Sequence, residues 1–181
     1  EAFSREKIVK QFNTNVIGLL DVTKAILPHF RQNKKGIIIN ISSIGGKITF
    51  PLGSLYHGTK FAVEGISESL NYEVEQFGGQ VKTIEPGMIA TDLAGRSFDF
   101  TNDESLMEYQ NTVNALMVAL PAMYQNASPA GLVAEVVFEV ATDGKKQLRY
   151  TAGEDAKILF KNRQKYDDAT FMGGIKSQFG F

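Results

Sequence analysis

Three observations on this sequence predict an α/β fold built on a parallel sheet. Stretches with apolar residues at helical spacing alternate with short runs rich in β-branched residues. The order reads helix–strand three times over, the pattern of a sheet whose strands are joined by helical crossovers. The clearest strand, "GIIINI" at Gly36–Ile41, is almost continuously apolar, as expected of a strand covered on both faces.

The elements follow in order. Ser4 is a candidate N-cap, and after it Ile8, Phe12, Val16, Leu19, Leu20, Ile26, Leu27 and Phe30 recur at helical spacing. Pro28 is expected to kink or end that helix, because proline removes a backbone donor. "QNKKG" reads as a loop and "GIIINIS" as the first strand. "SIGGKITFPLG" connects it to a long helical pattern from about Ser54 to Phe77, with Gly78 placed to stop it. "QVKTIE" is the second strand, ended by Pro86-Gly87. Thr101 or Asn102 is expected to cap a further helix, and Pro121 to end or kink it. Ser128-Pro129 reads as an N-cap followed by proline at the first helical position, with Gly144 closing the helix. "QLRYTAG" is a third strand, and two short helices fill the tail. Three strands make a thin sheet, and the first would show an unpaired apolar edge. Part of the sheet is therefore expected to lie outside this chain.

Composition narrows the function. The 181 residues suit one domain with its own core. A net charge of −1 leaves no electrostatic footprint for nucleic acid or an anionic membrane. The basic cluster Arg31, Lys34, Lys35 sits at a helix end, where cations suit the helix dipole. The longest apolar run, "ALMVALPAMY", is far short of the roughly 20 residues of a membrane helix. The absence of cysteine removes disulfides, thiol catalysis and thiolate metal ligands. His29 and His57 lack the spacing of a zinc pair, so no metal is expected. No secretory signal is visible, which favours the cytoplasm.

Chemistry concentrates around "YHGTK". On a helix, Tyr56 and Lys60 at i and i+4 share a face. A tyrosine of ordinary pKa near 10 is a poor acid–base catalyst at neutrality. A neighbouring ammonium stabilises the phenolate, and a shift of roughly three units would correspond to about 4 kcal/mol. The pair alone is better read as a packed ring beside a solvated lysine. "NISS", at the end of the first strand, supplies context, because ligands of open α/β sheets bind beyond the C-terminal strand ends. Ser43 there can hold a substrate oxygen in line with the tyrosine proton, or simply cap a turn. "EPGMIATDL" follows the second strand and offers backbone groups and the Thr91 hydroxyl to a polar ligand, or is a plain turn. Asn15 lies mid-helix, where asparagine is a poor helix former.

The segments "FNTNVIG", "GIIINISSIGG", "YHGTKFAVEGISESL" and "VKTIEPGMIATDL" occur in an order and spacing that resemble the classical short-chain dehydrogenase/reductase family. The resemblance is close over roughly residues 10–95 and looser beyond. It implies a Rossmann-like, doubly wound parallel sheet and an oxidoreductase that interconverts a carbonyl and an alcohol with NADP or NAD, NADP being slightly preferred. By that resemblance Asn15 matches the family's asparagine, which supports a proton-relay water. Ser43 matches the substrate-orienting serine, with Ser42 as the fallback assignment. Tyr56 matches the general acid/base, and Lys60 the lysine that binds the nicotinamide ribose and lowers the tyrosine pKa. Pro86, Gly87, Ile89 and Thr91 match the segment that holds the nicotinamide and a nearby phosphate. A homodimer or homotetramer is implied as well.

The family opens with a strand and a glycine-rich turn that receives the pyrophosphate at a helix N-terminus. The pairs Gly45-Gly46, Gly78-Gly79 and Gly173-Gly174 stand in other contexts. The chain therefore resembles the C-terminal two-thirds of such an enzyme. Two other readings stay open: a sugar-nucleotide epimerase or dehydratase of the extended branch, and a non-catalytic dinucleotide-sensing scaffold. Residues 98–124, with Phe98, Phe100, Met107, Tyr109, Leu116 and Met117, are expected to form a flap suited to a hydrophobic ketone, aldehyde or alcohol. The same side chains would equally serve as helix core.

Overall fold

The computed structural model describes residues 1–92 and 99–180. Phe98, one of the expected flap residues, lies outside them. Ser4 caps the first helix as expected, its Oγ accepting the Lys7 N–H at 3.3 Å. Helix α1 (Arg5–Phe12) passes into a five-residue π-helical segment, Asn13–Ile17, and then into α2 (Gly18–Asn33). Pro28 does not end the helix. The helix runs on to Asn33 and stops where Lys34 turns left-handed at φ 50°. The Phe30 ring lies over Gly36 so closely that a Cβ there would come within 2.2 Å of it. This contact seats the last turn on the start of the first strand and outweighs the one backbone bond that Pro28 removes.

Strand β1 (Gly36–Ile41) pairs in parallel with β2 (Gly79–Pro86), Gly36 opposite Gly79 and Ile41 opposite Ile84. Between them lie a 3-10 turn, Ile44–Gly46, and the long helix α3 (Ser54–Val74). A second short 3-10 turn then leads to Gly78, which takes the left-handed conformation expected of a helix stop at φ 80°. A two-residue strand β3 (Ile89–Ala90) follows β2. Helix α4 (Met107–Gln125), strand β4 (Ser128–Pro129), helix α5 (Ala130–Thr142), strand β5 (Arg149–Ala152) and helices α6 (Glu154–Lys165) and α7 (Asp168–Phe179) complete the order. The main sheet runs β1-β2-β5, all parallel, and β3 pairs with β4 in a separate two-stranded ladder. Among the described residues β1 forms one edge of the main sheet, where Ile37 and Ile41 are exposed. The result is an α/β fold with an incomplete Rossmann-like sheet.

Three further expectations are corrected. Neither Thr101 nor Asn102 caps α4. Thr101 Oγ1 accepts from Lys7 Nζ at 2.8 Å, the Asn102 amide donates to Gln110 Oε1 at 3.1 Å, and the helix starts only at Met107. Pro121 sits inside α4 without ending it, because the flanking Leu120 and Met123 pack on the core. Ser128-Pro129 is held extended as β4, the Ser128 N–H donating to the Met88 carbonyl at 2.9 Å. Pro129 thus precedes α5 instead of starting it.

Two apolar clusters frame the sheet ends. Ile44, Ile48, Leu116, Ala156, Phe171, Ile175 and Phe179 gather α4, α6 and α7 over the turn that follows β1. Ile84, Val140, Tyr150 and Ala152 lock β2, α5 and β5 together. No helix among the described residues is long and apolar enough to cross a membrane.

Candidate active site

The site forms where β1 and β2 end. β1 delivers Ser42 and Ser43 at its C-terminus, and the chain returns through a ten-residue connection to put Tyr56 and Lys60 on the first turns of α3. Ser43 Oγ accepts the Gly45 N–H at 3.0 Å and so caps the 3-10 turn. Its side chain also acts on the Tyr56 phenol, pulling its pKa down. The capping and the substrate-orienting readings of Ser43 are therefore compatible. The fallback, Ser42, is buried, and its hydroxyl has no hydrogen-bond partner among the described residues. Ser43, not Ser42, is the serine that meets Tyr56.

His57 holds this connection shut. The Phe50 N–H donates to Nε2 at 2.9 Å, which leaves Nδ1 as the protonated nitrogen, donating to the Gly45 carbonyl at 2.9 Å. Burial pushes the imidazole below its ordinary pKa and favours this neutral form. Gly45 is required for the close approach: a Cβ there would lie 2.9 Å from His57 Nδ1 and 3.1 Å from Tyr56 Cε1. Sequence reasoning considered His57 only as a metal ligand. The available signal was its place beside Tyr56, opposite a glycine-bearing turn.

Lys60 Nζ lies 5.9 Å from the Tyr56 ring centroid and donates to the Ile41 carbonyl at 3.1 Å. That bond ties α3 to the end of β1. The expected lowering of the Tyr56 pKa is not found. Burial raises it above the ordinary value, the Ser43 hydrogen bond partly opposes this, and the Tyr124 phenol raises it further. Burial also pushes the Lys60 ammonium below its usual range, while the Glu64 carboxylate one turn on supports the charged form. In the chain alone, burial thus favours the protonated form of Tyr56.

Asn15 sits within the π-helical segment, a distortion that recurs at functional sites. Its amide donates to Thr59 Oγ1 at 3.1 Å, and that hydroxyl donates to the Tyr56 carbonyl at 2.8 Å. Asn15 therefore meets α3 through Thr59, between Tyr56 and Lys60. Pro86 closes β2, and Gly87, Ile89 and Thr91 follow it, at the same C-terminal end of the sheet as Ser43. The Gly87 N–H donates to the Ala152 carbonyl at 2.9 Å, and Ile89 pairs with Ser128. Among the expected flap residues, Leu116 is core and Phe100 packs against the core, whereas Met107, Tyr109 and Met117 are exposed. Helix core thus accounts for Leu116 and Phe100, and the other three face solvent. Two open surface depressions of about 480 and 460 Å³ lie elsewhere, against α1 and the start of α3, and neither is lined by Ser43, Tyr56 or Lys60.

Comparison with known proteins decides the family. The model of the short chain dehydrogenases matches residues 1–102. The chain belongs to this family. Two uncharacterized oxidoreductases of Schizosaccharomyces pombe are each 44% identical to this short-chain dehydrogenase over 99% of its length, covering 75% of theirs. A solved short-chain dehydrogenase from Streptomyces avermitilis superposes with a TM-score of 0.77 at 27% identity, covering 99% of this chain and 64% of that one. A Burkholderia cenocepacia short chain dehydrogenase, solved in complex with NADP, gives a TM-score of 0.68 at 17% identity, over 100% of this chain and 62% of that one. The chain thus spans less than two thirds of the length of both solved relatives.

Proposed function

We propose that this chain carries the catalytic centre of an NAD(P)-dependent oxidoreductase that interconverts a carbonyl and an alcohol, with Tyr56 as the general acid/base. The observation that supports it most is the convergence of the Ser43 and Tyr56 hydroxyls at the end of β1, with the Lys60 ammonium one helical turn away.

The residues present fit a nicotinamide dinucleotide. Among the hydrogen bonds described, the Lys60 ammonium uses one of its three donors, on Ile41, which suits it to a ribose diol. Pro86, Gly87, Ile89 and Thr91 would hold the nicotinamide and a nearby phosphate. NADP is the first candidate, in keeping with the Burkholderia cenocepacia complex, and NAD the second. When bound, the nicotinamide supplies or accepts the hydride at the carbonyl carbon.

In reduction, Ser43 donates a hydrogen bond to the substrate oxygen and orients it toward Tyr56. Tyr56 then gives its phenolic proton to that oxygen as it gains negative charge. The Lys60 ammonium stabilises the phenolate left behind. Asn15, tied to α3 through Thr59, would support the water by which the phenolate is reprotonated. The exposed Met107, Tyr109 and Met117 of α4 suit a hydrophobic ketone, aldehyde or alcohol.

The test is turnover of a panel of hydrophobic ketones and aldehydes with NADPH and with NADH by the intact protein, including any residues that precede Glu1. Consumption of reduced cofactor by the native protein and its loss in Tyr56→Phe is the expected result. Equal turnover by both proteins would defeat the assignment.

A further inference from the structure

The loop after β2 is held by a residue far away in sequence. Asp155 lies in the first turn of α6, just beyond Gly153, which leaves β5 at φ 107°. Its Oδ2 accepts the Met88 N–H at 2.7 Å across 67 residues of chain. The fit around the carboxylate is tight on both sides. A Cβ on Gly87 would lie 2.3 Å from both carboxylate oxygens, and one on Gly153 would lie 2.6 Å from Oδ1. The carboxylate thus sits between the backbone of the loop and the backbone of its own turn.

We propose that Asp155 is a positioning residue of the dinucleotide site, its carboxylate fixing the peptide planes of Pro86–Ile89 that receive the nicotinamide. The inference rests on the functional reading above and extends it to a residue in the C-terminal third of the chain. The two polar groups of Met88 are both taken: the N–H by Asp155, and the carbonyl by the Ser128 N–H at 2.9 Å. In a trans peptide the carbonyl of one residue points opposite to the N–H of the next. Holding the Met88 N–H on Asp155 therefore aims the Gly87 carbonyl away from α6. The Gly87 N–H is anchored on Ala152 at 2.9 Å, so the loop is fastened to β4, β5 and α6 at once. Two of these three fastenings are backbone to backbone. Asp155 supplies the one made by a side chain, and without it a part-buried N–H loses its partner.

The experiment compares Asp155→Ala and Asp155→Asn with the native sequence in the intact protein. Three quantities are measured: NADPH and NADH affinity by fluorescence titration, KM against kcat, and hydrogen exchange of the Met88 amide. Asp155→Ala is expected to raise the cofactor Kd and KM roughly tenfold, with kcat at saturating cofactor changing far less, and to speed Met88 exchange by at least about tenfold. Asp155→Asn keeps a carbonyl oxygen that can accept the same N–H, and should return all three toward native values. Cofactor affinity within twofold of native in Asp155→Ala would overturn the proposal, as would an Asn variant no better than Ala. Should Asp155→Ala not fold, Gly87→Ala places a methyl where the carboxylate sits and must weaken cofactor binding in the same way; unchanged affinity there overturns the proposal too. If the native protein binds neither dinucleotide, the functional reading fails by itself. The Met88 exchange rate still decides the clamp, and fast exchange in the native protein would refute it.

Discussion

Lys60 stands 5.9 Å from the ring centroid of Tyr56, and Lys82 stands 5.5 Å from that of Tyr150. By distance the two tyrosine–lysine pairs are alike, and their surroundings separate them. Lys82 is buried, donating to the Val140 carbonyl at 3.0 Å and to Asp143 Oδ1 at 2.7 Å. The Tyr150 hydroxyl donates to the other oxygen of the same carboxylate at 2.5 Å. Asp143 is held well below the usual carboxylate range, chiefly by its hydrogen bonds from Lys82 and Tyr150. Burial first, and then Asp143, push the Tyr150 phenol far up. This proton has a fixed acceptor, and the pair joins β2, α5 and β5. Tyr56 instead faces the hydroxyl of Ser43 and is 36% exposed. A tyrosine beside a lysine becomes available for chemistry when no carboxylate has claimed its proton.

That contrast can be broken in four ways. Tyr56→Phe keeps the ring and removes the proton donor, so turnover should fall by roughly 10³-fold, about 4 kcal/mol, with the melting temperature nearly unchanged. Steady-state rates alongside a thermal melt check both halves. Lys60→Met should lower kcat/KM by roughly 10²-fold, about 3 kcal/mol, through weaker cofactor binding and a less stable phenolate. An unchanged cofactor affinity together with an unchanged pH–rate profile would make Lys60 a structural lysine like Lys82.

The third test concerns the acids beneath the site. Glu64 pairs with Lys47 at 3.3 Å and with Arg149 at 2.9 Å, and Arg149 also binds Glu68. Glu85, buried on β2, lies 3.8 Å from Arg149 and is pushed from its ordinary 4.5 up to about 7 by burial and by the Glu64 charge. A carboxyl whose folded pKa is raised favours folding while both states are protonated. It loses that advantage as pH rises from about 4.5 through about 7. Glu85→Gln removes the titration. The variant should therefore gain on native protein across that window by an amount on the order of 2–3 kcal/mol, read from denaturant melts at several pH values. A constant difference between the two proteins at all pH values would show that Glu85 has the same pKa folded and unfolded. The smallest effect is expected from Tyr150→Phe. Loss of its bond to Asp143 should cost about 2 kcal/mol of stability and leave kcat untouched. A kinetic effect matching that of Tyr56→Phe would erase the distinction between the pairs.

Much of the candidate site was legible because its signals are local. Tyr56 and Lys60 share a face of α3 by the period of the helix, and Ser43 follows directly from the end of a β-branched run. Pro28 and Pro121 do not end their helices, because propensity counts one lost bond, whereas Phe30 packs on Gly36 and Leu120 and Met123 pack on the core. Asn15 could be flagged as a poor helix former, but the π-helical turn that accommodates it leaves no mark in hydrophobic spacing.

The sequence by itself determined the family, the alternation of helices and strands, and the order in which Asn15, Ser43, Tyr56, Lys60 and Pro86-Gly87 arrive at the sheet ends. Periodicity and short motifs record what neighbours along the chain do, and these features depend on such neighbours. Only the tertiary structure decided that His57 locks the turn between Ser43 and Tyr56. It alone turned Ser128 from a helix cap into a partner for Met88, and brought Asp155 to the same residue across 67 positions. It also set the Tyr56 pKa above its ordinary value where the adjacent lysine suggested the opposite. Desolvation and contacts between distant segments depend on what is packed around a group, and spacing along one chain does not encode them.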